Sequence, residues 1–252
     1  MKTTVVLPTY NEAENLPSIV PAILQALPEA QVLIVDDGSP DGTGKIADGM
    51  AAQNPERIQV VHREKKEGLG RAYLFAFQIA LDRGADVILQ MDADFSHPPE
   101  VLPLLVEALR KNDFALGSRY IPGGGIENWD FRRRLLSRAG NLYARLILSS
   151  PIHDLTGGFK AFRRPVLEYL LASPIDCSGY SFQIEMTSRA LAAGFRCVEI
   201  PFVFTERQVG VSKMSQGIVW EALIKTARLR KELKRIARDK TRESSPALKC
   251  KS

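Results

Sequence analysis

Two aspartates one residue apart, Asp92 and Asp94, stand where an apolar run, Val87 to Met91, comes to an end. The run reads as a buried strand, and the carboxyl ends of strands are where open α/β sheets bind ligands. Two carboxylates on such a turn make a hard, oxygen-only anchor that suits Mg²⁺ or Mn²⁺, which keep several waters and draw other ligands from substrate phosphates. A nucleoside diphosphate is the natural partner. Taken alone, the pair fits equally well a turn held by Asx-type backbone hydrogen bonds. His97 lies beside it as a potential base or ligand, but with Pro98 and Pro99 following it reads as structural.

The elements that must position this turn follow from the pattern on either side. Thr3 to Leu7 is a β-branched and apolar strand, followed by the turn Pro8 to Glu12 with Asn11 as a plausible helix N-cap. A helix is expected from about Glu12 to Leu27, although Pro17 and Pro21 disturb its first turns. Gln31 to Val35 is a second strand that empties into Asp36-Asp37-Gly38-Ser39, and Asp41-Gly42-Thr43 opens the next helix. Ile58 to His62 makes a third strand and Gly68 to Leu81 a helix. This alternation predicts a mostly parallel α/β sheet with helices on both faces. Tyr10 to Glu12, Asp36 to Ser39 and Asp92 to Ser96 then leave one edge of that sheet and can share one nucleotide. Neither G-x-G-x-x-G after the first strand nor G-x-x-x-x-G-K-[ST] occurs, so the phosphate cradles of a dinucleotide enzyme or a P-loop ATPase are missing.

Further on, a helix is expected from Glu100 to Lys111 and a strand from Phe114 to Ser118 that ends at Arg119. Gly123-Gly124-Gly125 reads as a mobile loop. The next helix opens at Trp129 with Arg132, Arg133 and Arg134 in its first turn and carries an apolar stripe through Leu135, Leu136, Leu142, Leu146 and Ile147. Cations oppose the macrodipole at a helix start, so an anion held among them, with Arg119 and Arg133 as clamps, is the better account. Asp154 to Phe159 is a turn before a short strand, Lys160 to Arg163. Tyr180 to Ala193 is a helix exposing Glu185, and Arg196 to Thr205 a closing strand. Arg207 and Lys213 flank a glycine in a loop over the sheet edge that can fold onto a phosphate.

The chain has 252 residues, a net charge of +5 and a pI near 9.1. The basicity is local: residues 225–252 carry a net +8, which leaves the first 224 at −3, so a nucleic-acid-binding core is disfavoured. A helix from about Ile218 to Ala237 sets Leu229, Leu233 and Ile236 on one stripe among Lys231, Lys234, Arg235 and Arg238. It suits a membrane surface, and a core-docked helix with a solvated basic face explains its first half as well. Residues 1–217 are thus expected as a catalytic domain, 218–238 as the amphipathic basic helix and 239–252 as a disordered polar tail. No apolar run is long enough to span a membrane and no signal-like segment follows Met1, which leads to the expectation of a cytoplasmic protein. Cys177, Cys197 and Cys250 are too scattered for a disulfide framework or a zinc site.

In order along the chain stand VVLPTYNEAENL, VDDGSPDGT, KEGLGRAY, MDADFSHPPE, GSRY, DLTGGFKAFRR, GYSFQIEM and TERQVGVSKMS. From about Thr3 to Leu223 the sequence resembles the polyprenyl-phosphate mannosyltransferases of the dolichol-phosphate mannose synthase type in glycosyltransferase family 2. That resemblance implies a GT-A (Rossmann-like) fold and inverting transfer of mannose from GDP-mannose to a polyprenyl monophosphate. The active site would lie on the cytoplasmic face of a membrane. It puts Pro8, Tyr10, Glu12, Val35 and Asp37 on the guanosine portion, and Asp92, Ala93 and Asp94 on the diphosphate and metal. Arg207 and Lys213 fall in the loop that closes on the donor, and Arg119, Arg133 and Ser137 hold the lipid phosphate. Some relatives carry Gln at a third metal-contacting position where this chain has Ser96, and water can fill that place. Other relatives append membrane-spanning helices, so here surface docking or a small membrane-protein partner must supply the lipid. A phosphate monoester, with a second pKa of about 6, is already ionised at neutral pH and needs positioning more than a general base. Two alternatives remain open: the same chemistry with another sugar nucleotide such as UDP-glucose, and a non-catalytic nucleotide-sugar-binding subunit.

Overall fold

The structure, a computed structural model, describes residues 1–175, 181–205, 225–236 and 238. Its strands are β1 (Thr3–Thr9), β2 (Gln31–Asp36), β3 (Ile58–His62), β4 (Val87–Gln90), β5 (Phe114–Ser118), β6 (Gly125–Glu127), β7 (Lys160–Arg163), β8 (Cys197–Pro201) and β9 (Val203–Thr205). Its helices are α1 (Leu16–Ala26), α2 (Thr43–Gln53), α3 (Leu69–Asp82), α4 (Leu102–Ala108), α5 (Phe131–Leu148), α6 (Arg164–Leu171) and α7 (Ser181–Ala192), and residues 225–236 are also helical. Seven strands form one sheet in the order β3-β2-β1-β4-β7-β5-β8. All neighbours in it are parallel except β7, which runs against both β4 and β5. β6 and β9 pair in a second, two-stranded parallel sheet.

Strands β1 and β2 are almost wholly buried, as near-continuous apolar runs must be when helices cover both faces. On one face Leu16, Ile19, Ile23, Ala47, Leu102 and Leu105 pack on Val5, Leu7, Val32 and Ile34. On the other, Tyr73, Phe77, Val166, Leu170, Phe182 and Met186 pack on Val6, Leu33, Ile88 and Phe114. A third cluster joins Leu116, Ala144, Ile152, Leu155, Ile184 and Leu229, with Leu233 packed against it.

Several local expectations are corrected. Asn11 is not the N-cap of α1: it adopts a left-handed φ of 60°, and the helix starts at Leu16 after Asn15. The amides of this turn are instead taken by the next loop, Asn11 N–H by Ser39 Oγ, Glu12 N–H by Thr43 Oγ1 and Ala13 N–H by Asp41 Oδ2. Pro17 falls in the first turn, where its missing N–H costs nothing. The triglycine is built into the fold rather than a mobile loop. A Cβ on Gly124 would come within 2.5 Å of the Ser118 carbonyl oxygen, and Gly125 opens β6 with its amide donating to Phe202 O. Arg196 to Thr205 is two strands in two sheets. The break falls at buried Phe202, whose amide still reaches Ser118 O in β5 while its carbonyl serves β6. Helix α6, only two turns long directly after β7, gave too short a period to be anticipated.

Candidate active site

Because β7 enters the sheet in reverse, the turn before it opens on the same edge as the carboxyl ends of β1, β2, β4 and β5. All described site residues gather along that edge.

At one end, the loops after β1 and β2 are tied to each other. Pro8 and Val35 are partners in register and buried, so they form the floor beneath Tyr10, Glu12 and Asp37. Asp36 folds its own turn, accepting from Ser39 N–H at 3.1 Å and Ser39 Oγ–H at 2.6 Å. Glu12 Oε2 accepts from Asn15 Nδ2 at 2.7 Å. Asp37 accepts from Arg63 at 2.6 Å; burial raises its carboxyl above the usual range, and Arg63 pulls the other way. Lys66 Nζ lies 3.8 Å from the centre of the Tyr10 ring, a cation–π contact.

In the middle, the Asp92–His97 turn is held from three sides. The Tyr73 hydroxyl donates to Asp92 Oδ1 at 2.6 Å. Tyr73 is fully buried, and burial together with the Asp92 charge raises its pKa well above the ordinary value, so it remains a donor. The Asp92 amide donates to His97 Nδ1 at 3.0 Å, which leaves the ring proton on Nε2. His97 is buried, stacked on Phe159 at 4.8 Å, and its pKa is lowered by burial, so it is a neutral brace of the turn, as the flanking prolines suggested. Ser96 donates from both its amide and its hydroxyl to Asp94 Oδ1, at 3.1 and 2.6 Å. These contacts over-determine Phe95, which sits at φ 60°, a strained conformation for a bulky residue. Ala93 is buried between the carboxylates. Among the described residues no three His, Cys, Asp or Glu side chains converge on one point. The donor set is therefore two carboxylates with the Ser96 oxygen beside them. It fits a cation of the Mg²⁺ or Mn²⁺ type that takes its remaining ligands from phosphate and water.

At the far end, Arg119 leaves β5 and meets Asp154 in a bidentate pair, Nε to Oδ2 and Nη2 to Oδ1, both at 2.7 Å, with Thr156 Oγ1 at 2.9 Å. Asp154 is fully buried, and its amide and that of His153 donate to Glu199 on β8. Arg119 is thus an anchored guanidinium rather than a swinging clamp. Its guanidinium carbon lies 6.0 Å from the Trp129 ring centre, and that of Arg133 lies 4.1 Å from the same ring. The structure brings together the two arginines singled out in the sequence. Ser137 Oγ accepts from the Tyr120 hydroxyl at 2.7 Å, one turn beyond Arg133. The start of α5 is also less anomalous than its three arginines implied, because Asp130 caps it and accepts the Arg133 amide. Arg207 and Lys213 lie outside the described residues.

Sequence reasoning missed Arg63, Tyr73, Trp129, Asp154 and Glu199. Tyr73 sits at a core position of α3, and nothing local marks its hydroxyl as reaching residue 92. Asp154 was read only as part of a turn.

The family model for glycosyl transferase family 2 matches residues 4–171. A polyprenol monophosphomannose synthase of Mycolicibacterium smegmatis is 51% identical over 227 residues, 90% of this chain and 86% of that protein. An undecaprenyl-phosphate mannosyltransferase of Micrococcus luteus is 47% identical over 228 residues, 90% of this chain and 93% of that protein. Among solved structures, glucosyl-3-phosphoglycerate synthase from Mycobacterium tuberculosis, in complex with Mn²⁺ and UDP-glucose, superposes with a TM-score of 0.67 at 18% identity. That match covers 91% of this chain and 79% of the other, a likeness of fold alone. The fold is GT-A, and with two thirds of the chain under the family model and 51% identity to a curated relative over 90% of this chain's length, the chain belongs to glycosyl transferase family 2.

Proposed function

We propose that this chain transfers mannose from GDP-mannose to a polyprenyl monophosphate with inversion at the anomeric carbon, working at a membrane surface. The names of the two relatives described above support the acceptor and the sugar. The observation that carries the reading is the convergence of Arg119 and Arg133 on Trp129, at the sheet edge that also holds Asp92 and Asp94. Trp129 Nε1 is itself buried without a hydrogen-bond partner among the described residues. An indole donor between two guanidiniums suits an anionic oxygen.

The donor lies along the other half of the edge. Glu12 and Asp37, on the β1 and β2 loops, offer carboxylates to the ring N–H groups of a guanine, above Pro8 and Val35 and beside Tyr10. Asp92 and Asp94, with Ala93 and Ser96, would hold Mg²⁺ or Mn²⁺ against the diphosphate. Bound there, the cation neutralises the charge of the departing nucleoside diphosphate. Tyr73 and Ser96 fix the two carboxylates, so their orientation is set before the substrate arrives. Arg119, Arg133 and Ser137 orient the acceptor phosphate, already ionised and able to attack without a base. Arg207 and Lys213, which lie outside the described residues, would close on the donor.

The described part of the C-terminal helix packs on the core through Leu229 and Leu233, and α5 is the element proposed to meet the membrane. Phe131, Leu135, Leu142 and Leu146 are 76, 57, 54 and 69% exposed and fall on one side of the helix, next to the acceptor arginines. Among the described residues no helix is long and apolar enough to cross a membrane; surface docking or a small membrane-protein partner would present the lipid. The test is incubation of the purified chain with labelled GDP-mannose, Mg²⁺ and a short polyprenyl phosphate. Label is expected to move into the organic phase and to stay in the aqueous phase with Asp94→Ala. Label that never leaves the aqueous phase with the unaltered chain, in the presence of membranes, would refute the assignment.

A further inference from the structure

Past Arg134, helix α5 carries two more arginines that the proposed reaction leaves unused. Arg138 and Arg145 are two turns apart on one face, with Asn141 between them. They line an open cleft of about 370 Å³ whose opposite wall includes Arg119 and Tyr120. Among the described residues neither Arg138 nor Arg145 forms an ion pair or a side-chain hydrogen bond, and Arg145 Nε is buried without an acceptor. The nearby acids are engaged elsewhere: Asp154 grips Arg119, and Glu199 holds the His153 ring at 2.8 Å. No carboxylate lines the cleft. Arg138 and Arg145 thus bring two guanidinium charges to a cleft whose lining supplies no countercharge.

The rim says what kind of anion fits. Leu142 lines the cleft and is half exposed, and the apolar stripe of α5 continues beside it through Leu135 and Leu146. Arginines bordering an exposed apolar stripe are the arrangement that places guanidiniums at headgroup level while leucines enter the acyl boundary. With a rise of 1.5 Å per residue, Arg145 lies about 18 Å along the axis from Arg133, too far for one phosphate group to engage both.

We propose that the Arg138–Arg145 end of this cleft binds the phosphodiester headgroup of an anionic membrane phospholipid, a second lipid-phosphate subsite adjoining the acceptor's across Arg119. The inference rests on α5 being the membrane face. It is tested by calorimetric titration of the full chain with dihexanoyl phosphatidylglycerol below its micelle concentration, with dihexanoyl phosphatidylcholine and with inorganic phosphate.

Saturable binding of phosphatidylglycerol is expected, weakened about tenfold or more in Arg138→Gln/Arg145→Gln and severalfold in Arg138→Gln alone. Arg132→Gln, an exposed arginine outside the cleft, should leave it unchanged. The proposal is overturned if the double variant binds phosphatidylglycerol undiminished or if phosphatidylcholine binds as tightly. Inorganic phosphate binding as well as the lipid would also overturn it, because the cleft would then be a free-anion site. Vesicle flotation with Leu135→Gln/Leu146→Gln judges α5 separately. Lost flotation supports the membrane face on which the proposal rests, and retained flotation overturns that face, whereas the titration decides the cleft.

Discussion

Asp92 takes its orientation from a residue nineteen positions earlier, the buried Tyr73, whose hydroxyl donates to it at 2.6 Å. Partners of this kind set metal affinity, commonly by a factor of ten or more. Tyr73→Phe, which keeps the ring packed on Phe77 and Phe182, should raise the divalent cation concentration needed for half-maximal transfer by about tenfold. An unchanged metal titration would remove Tyr73 from the site. Lys160 offers a second test. It is fully buried, donates to Gln183 Oε1 at 2.8 Å, and burial pushes its pKa down to about 7. Between that value and the ordinary lysine pKa, the unfolded chain holds a proton that the native state has released, so stability rises with pH across this window. Lys160→Met removes that dependence. Its stability advantage over the unaltered chain, measured by urea unfolding, should shrink by roughly 1 kcal/mol per pH unit from pH 7 to pH 9.5. A difference constant with pH would contradict a buried titrating ammonium. The carboxylates of the 92–94 turn were legible in the sequence because strand and acids are contiguous. Tyr73, Asp154 and Glu199 were not, because their contacts span 19 to 46 positions and leave no local pattern.

Among the elements, the strands of the parallel half were readable from their apolar runs and the acidic turns that close them. The direction of β7 was not, yet it is what carries Asp154 to Arg119. Periodicity marked both α5 and the C-terminal helix as amphipathic but could not say what covers each stripe. In the structure the first half of the C-terminal helix follows the core-docked reading. Leu229 is buried and Leu233 packs with it against Leu116, Ile152, Leu155 and Ile184, and Glu232 reaches Arg189 of α7 at 2.8 Å. The stripe of α5 meets solvent instead. Leu229→Ala should therefore cost about 2–3 kcal/mol in chemical denaturation, the usual range for a leucine cavity in a core. A cost near zero would mean that this helix does not dock.

At the scale of the whole molecule, one sheet edge is divided between a donor half, held by the β1, β2 and β4 loops, and an acceptor half, built from β5, the turn before β7 and α5. The family relationship and the GT-A fold agree with that division, and the sharing of one edge by three acidic turns was already visible in the strand and helix alternation. The two halves are proposed to act separately, with Arg133 on the acceptor side. The most direct measurement is the KM for polyprenyl phosphate in Arg133→Ala, taken together with the Kd for GDP-mannose. Arg133 should contribute a charged hydrogen bond to the acceptor phosphate, so its loss should raise that KM by about tenfold or more while the GDP-mannose Kd stays within a factor of about two. An unchanged acceptor KM, or a loss of GDP-mannose binding equal to the loss of acceptor use, would contradict the division.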